Sequence, residues 1–397
     1  MRALRCVLIP CLLWVGTACS EPDPQASRVI VRDSSSVRIL ETTASARFAA
    51  DRRVGAAPEW SVGEVEGDPD YLLSRVVGAI QLADGRIVVA NGGTNDLRIY
   101  DTEGRLAQTI GREGQGPGEF QYLRDLKRCR EAGFVAFDLD WQVSAFGADG
   151  SFLGRTVIPT PDGFTPYTLE CDRAGRFALL GWGRNPSAPP QVGFHALHDR
   201  LLLVSLGEGT EADLGMWLVS ERIGSPGGSR PHPAGRATVF ALHEDKVYLG
   251  SGERFEVEVR DLSGRLEQLI RGPRIPLVVT DSLKSLTLEI MLRDADPARH
   301  PALRAAVAEW DWPERMPAYT ALEVDPEGVV WTRGYSADPL EGETWSLFDP
   351  ERGYLGDIRL EPGQSLLEAG PDYVLVLSRD ELGVERVQRY SLVPIDG

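Results

Sequence analysis

The chain has little of what catalysis usually rests on. Only five histidines occur among 397 residues, His195, His198, His232, His243 and His300. No Gly-x-Ser-x-Gly elbow and no His-Glu-x-x-His is present, so neither a serine-hydrolase nucleophile nor a zincin site is signalled. Positive charge is short too: 42 basic residues face 59 acidic ones, for a net charge of −17. Such a chain repels polyanions, which excludes non-specific nucleic-acid binding. Long apolar runs are missing. The longest, residues 6–15, is too short to span a bilayer. Cysteines number five, and with no histidine nearby they do not make a zinc site.

Glycine and proline are abundant instead, at 42 and 27 residues. Residues 108–123, QTIGREGQGPGEFQYL, carry four glycines within eight positions. A phosphate-binding loop would need Lys and Ser/Thr straight after the last glycine, or a helix opening inside the glycines. Here Gly118 is followed by Glu119 and Phe120, and no clean helical stripe follows. A lone Glu119 in a linker is a weak general acid. The stretch therefore reads as a turn between strands, with Phe120 as a plug between neighbouring units.

That reading requires a repeat, and one is present. Segments 85–110, 133–158 and 245–270 each show an apolar strand, a polar turn, an alternating strand, a D-x-x-G type turn and another strand. Further copies lie at 175–206, 328–360 and 372–393, the last lacking its outer strand. The copies recur about every 45 residues, with two longer gaps, which is the period of a β-propeller. The expected fold is all-β: a six-bladed propeller of four-stranded antiparallel blades over residues 55–397. Its first strands are RVVGAIQLAD, FQYLRDLKRC, TPYTLECDRA, RATVFALHED, AYTALEVDPE and QSLLEAGPD. PEWSVGEVEG, just before blade 1, is expected to complete blade 6 and remove two free edges. Asp84, Asp172, Asp245, Asp325 and Asp372 recur beside the first turn, as turn chemistry demands.

The opening MRALRCVLIPCLLWVGTACSEPD has a positive n-region, a short apolar core and small residues before Cys19. It resembles the lipobox of bacterial lipoproteins, although Gly16 replaces the usual Leu. The resemblance implies a signal peptide at 1–18, lipidation of Cys19, and a tether and N-terminal segment over 19–54. It places the protein in the bacterial cell envelope, held at the outer membrane by lipid alone, or secreted if the box is unused. DGRIVVANGGTNDLRIYDTEGRL, IGREGQGPGEF and PAYTALEVDPEGVVW resemble bacterial six-bladed β-propeller proteins related to NHL-repeat proteins. That likeness implies fold more than activity.

The two long gaps hold insertions. Residues 281–317 read as two helices between blades 4 and 5, the second opening on a proline. Residues 207–236 read as a flexible loop after a short strand. The inner-strand entrances carry Arg75, Tyr122, Arg124, Tyr167, Arg236 and Tyr319, a ring suited to an acidic or carbohydrate ligand or a peptide. Cys129 and Cys171, at matching ends of adjacent inner strands, are candidates for a disulfide. No cofactor is evident and the metal content is open, but carboxylates are abundant enough for calcium. The expectation is a monomeric, non-catalytic scaffold binding an unknown protein, peptide or glycan. Its rivals are a calcium-dependent, lactonase-like channel hydrolase, which needs three inward carboxylates or amides at one depth, and a structural envelope component.

Overall fold

The computed structural model describes residues 29–42, 52–130, 133–182, 191–206, 209–225, 228–273, 277–338 and 341–394. The expected signal peptide and the expected lipidation site, Cys19, lie outside these. No helix among the described residues is long and apolar enough to cross a membrane.

Six antiparallel sheets follow one another along the chain. Their inner strands are Val76–Gln81, Asp125–Arg130, Pro166–Cys171, Val239–His243, Tyr319–Val324 and Gln364–Ala369. The inner strands of blades 1 to 5 neighbour one another in order, and that of blade 6 lies beside blade 1. This is a closed six-bladed propeller. Side chains alternate between the two faces of each blade. Apolar layers consequently form between neighbouring blades, and Ile80, Leu97 and Ile99 of blade 1 pack with Phe134 and Phe146 of blade 2.

The ring closes as the pattern predicts. Trp60–Val62 pairs with Val387–Arg389 of blade 6, and Arg52–Val54 pairs with Leu392–Pro394. The glycine-rich link behaves as a turn. Gly111 has φ +81°, and a Cβ there would stand 2.6 Å from the Gly118 carbonyl and against the Phe120 ring. Phe120 is fully buried between blades 1 and 2. Glu119 folds back, accepting from the Gly116 amide at 2.9 Å and from Arg112 Nε at 2.7 Å. It is a turn-holder and not a general acid. The D-x-x-G turns close in the same way: Asp101 accepts from the amides of Glu103 and Arg105, and Asp261 from those of Ser263 and Arg265.

Two expectations are corrected. Residues 29–36, expected in a tether, pair instead: Val29–Ser34 and Val37–Thr42 form a hairpin, and the second strand runs parallel to the outer strand of blade 4. Ile39 and Leu40 are buried there, so packing of this strand outweighs the surrounding serines. Residues 207–236 are not mainly a loop. Gly209–Ser225 is a 17-residue strand paired with Gly193–Ser205, and Gly228–Pro231 adds a fifth strand. Gly209, Gly228 and Pro231 mark strand ends there, and Gly215 sits mid-strand at φ +96°.

The turn Asp172–Gly175 lies on one face of the disc. The arm, Gly193–Arg200 paired with Met216–Gly224, runs past the blade at the opposite face. Helices α1 (Asp281–Arg293) and α2 (His300–Ala308) form the insertion before the inner strand of blade 5. Thr280 caps α1, its hydroxyl accepting from the Leu283 amide at 3.2 Å.

Candidate functional site

The six rim residues all make contacts with the framework, although Tyr122, at 48%, and Arg124 stay exposed. The Arg75 guanidinium donates to the carbonyls of Leu123 (3.0 Å) and Gly92 and lies 4.2 Å over the Tyr122 ring. The Asp138 carboxylate holds the amides of Gln121 and Tyr122. Arg75 and its neighbours therefore lock the blade 1–2 junction. Arg124 stacks on Trp141, and Tyr167 on Trp182. Arg236 pairs with buried Glu221 and, at 3.6 Å, with Glu253. Tyr319 is only 1% exposed and donates to the Glu256 carbonyl at 2.5 Å, and burial pushes its phenol up. Four of the six are thus held by partners and at least partly buried, and Tyr122 and Arg124 present exposed side chains.

The chemistry lies deeper, in a central channel of about 1190 Å³. In each blade one inner-strand position stands opposite an equivalent residue of the second strand. That position is Ile80, Lys127, Glu170, Ala241, Glu323 and Glu368 in blades 1 to 6, and all six residues line the channel. Three carboxylates and one ammonium thus occupy one register.

Most of this charge is paired. Lys127 Nζ donates to both Glu170 oxygens at 2.8 and 2.9 Å and stands 3.6 Å from Asp125. Burial opposes its charge, but Asp125 and Glu170 outweigh it and hold the ammonium well above its ordinary range. Glu368 meets Arg128 at 2.7 Å and accepts from the Gln81 amide and the Tyr373 hydroxyl, each at 2.8 Å. The Glu323 carboxylate makes no hydrogen bond or ion pair among the described residues. Burial pushes its carboxyl up to about 8; Lys127 opposes this, and Glu170 and Glu368 add to it. In this register Glu323 is therefore the one charged group without a side-chain partner among the described residues. Seven acids line the channel against four bases, so its field favours cations.

Cys129 and Cys171 are disulfide-bonded, with Cα atoms 5.4 Å apart. The bond joins the inner strands that carry Lys127 and Glu170. His243 lines the channel alone among the histidines. Among the described residues no group of three His, Cys, Asp or Glu side chains is placed to hold a metal ion.

Sequence reasoning missed the channel set. A signal existed: Leu-Glu recurs at 169–170, 322–323 and 367–368, near the end of three first strands.

Residues 68–131 match the model of a family, DUF5128, described as a 6-bladed beta-propeller. No curated protein matches the chain. Among solved structures, an exported protein from Bacteroides fragilis is similar with a TM-score of 0.47 and 9% identity, over 89% of this chain and 98% of its own. A member of the DUF4221 family from Bacteroides vulgatus gives 0.46 and 11%, over 86% and 99%. A catalytically inactive virginiamycin B lyase from Staphylococcus aureus gives 0.39 and 9%, over 84% and 99%.

Proposed function

We propose that this propeller is an envelope-anchored, monomeric binding scaffold whose channel takes a positively charged group of a peptide or protein ligand. The observation that carries the reading is Glu323, a channel carboxyl with no protein partner in a ring whose other charges are paired. A buried carboxylate is stabilised by an opposite charge, and a ligand ammonium or guanidinium supplies one. The lipid anchor at Cys19 fits a scaffold held at a membrane.

The calcium-dependent hydrolase draws support from Glu170, Glu323 and Glu368 at one register. Lys127 and Arg128 already neutralise two of these, which leaves less charge for a dication.

Calorimetry with tri-lysine and with its side-chain-acetylated form, at pH 8.5, tests the proposal. Tri-lysine is expected to bind, the acetylated peptide to bind at least about tenfold more weakly, and Glu323→Gln to remove the difference. Equal binding of the two peptides sinks the cation reading. Stoichiometric calcium binding lost in Glu323→Gln moves the hydrolase ahead. Below pH 8 a proton must leave Glu323 before a cation pairs with it. Affinity for tri-lysine should therefore fall as pH is lowered from 8 to 6, by up to about tenfold per unit.

A further inference from the structure

The helical insertion is joined to the disc by a narrow neck. Val278 bridges to Arg315, the Val279 amide donates to the Glu314 carbonyl at 3.1 Å, and the Met316 amide donates to the Leu277 carbonyl at 2.8 Å. Beyond the neck few side chains are sunk: only Thr287 and Leu292 of α1 and Val307 of α2 are buried. An exposed ion pair, Arg293 with Asp338 at 2.9 Å, ties α1 to blade 5.

The tightest attachment is aromatic. His232, 3% exposed, follows the fifth strand of blade 3. Its ring meets Trp312 at 4.9 Å, Trp310 at 5.7 Å and Phe194 at 5.8 Å, all edge-on. Both tryptophans follow α2, whereas Phe194 and His232 belong to the arm. Arg230 lies 4.6 Å over Trp310. The insertion is thus pinned to the arm by one imidazole between rings from both sides.

That imidazole is held neutral by its bonds. Nδ1 accepts from the Ala234 amide at 3.1 Å, which puts the proton on Nε2. Nε2 is buried with no hydrogen-bond partner, and the rings around it offer only weak N–H···π contact. A second proton would set an Nδ1–H against the Ala234 N–H and bury an uncompensated charge. Glu221 and Arg230 act on the ring, Arg222 and Arg236 are bonded to Ser229 and Glu221 beside it, and Asp311 of the insertion stands next to Gly193. Glu221 is already paired with Arg236.

We propose that the helical insertion is a hinged cap, latched to the blade 3 arm by neutral His232 and released when that imidazole takes a proton. Release uncovers Trp310, Trp312 and Phe194 on the arm's face of the disc. The inference is independent of the channel reading. Burial lowers the His232 pKa from 6.5 to about 4, with Arg230 adding and Glu221 opposing. The docked form therefore binds fewer protons than the open one. Docking is complete above pH 6.5 and weakens as pH falls towards 4, about tenfold per unit.

Hydrogen–deuterium exchange of the whole purified chain, corrected for intrinsic rates, tests this. At pH 5 peptides covering 281–317 should exchange roughly 30-fold faster than at pH 7, while inner-strand peptides of blades 1 to 6 stay protected. His232→Asn keeps an acceptor for the Ala234 amide but does not titrate, and should remove the pH dependence. If that variant does not fold, an NMR titration of His232 in the native chain replaces it, and its midpoint must coincide with cap opening. Flat protection of 281–317 between pH 7 and 5 overturns the proposal. So does a pH response retained in His232→Asn, opening out of step with His232, or blades and cap losing protection together.

Discussion

Glu323 stands opposite Trp331 in its blade, with the carboxyl turned to a channel and away from any protein donor. Its cost to the fold has a definite sign. The folded pKa is raised, so below about pH 4.5 the folded and unfolded chains are both protonated and no penalty arises. As pH rises the unfolded carboxyl ionises first, and stability falls until about pH 8. Glu323→Gln should therefore stabilise at pH 8 by about 2 kcal/mol, discounted for channel water, and leave pH 4 unchanged. Thermal unfolding of both proteins at the two pH values checks this, and equal melting points at pH 8 would place Glu323 in ordinary solvent. Phe120 is the contrasting residue, apolar and fully enclosed between blades. Phe120→Ala should cost about 3–5 kcal/mol, read as a shifted urea midpoint. Its plugging role was legible because Gly-Glu-Phe ends a stretch no strand could use. Glu323 was not legible, since a Glu in an alternating strand reads as solvent-facing until the ring is closed.

At the scale of elements, blades follow from alternation and turns, and these survive in sequence. The D-x-x-G carboxylates that close the outer hairpins are local, within four residues. The hairpin Val29–Thr42 and the long arm of blade 3 were hidden because their partners are remote or their glycines imitate a loop. The Cys129–Cys171 bond couples two blades across a separation of 42 residues. Chain entropy alone assigns such a loop about 4 kcal/mol. Cys129→Ala with Cys171→Ala should lower stability by about that amount. It should also weaken tri-lysine binding, because the strands holding Lys127 and Glu170 lose their tether. A double variant as stable as the native chain would show that the loop is already constrained in the unfolded state.

For the whole molecule, closure is the governing feature. Trp60 is buried, its indole donates to the Asp101 carbonyl at 3.0 Å, and its strand covers the last edge of blade 6. Removing residues up to 62 should leave Glu385–Pro394 as a free edge and drive self-association, visible as higher-order species in size-exclusion chromatography with light scattering. A monomeric truncated chain would mean that blade 6 needs no outer strand. The channel field makes a second whole-molecule prediction. Tri-lysine association should slow as salt is raised from 0.05 to 0.5 M, because the excess of lining acids is screened over about 10 Å or less.

The same closure orders events in time. The strand that seals the ring is made long before its partner, with Trp60 facing Arg389. At about 5–20 residues per second, roughly 16–65 s separate the two. Throughout that interval blades 1 to 5 can form but the circle cannot. The chain remains an open arc until Glu385–Pro394 emerges, and closure is timed by the length of chain between the two strands.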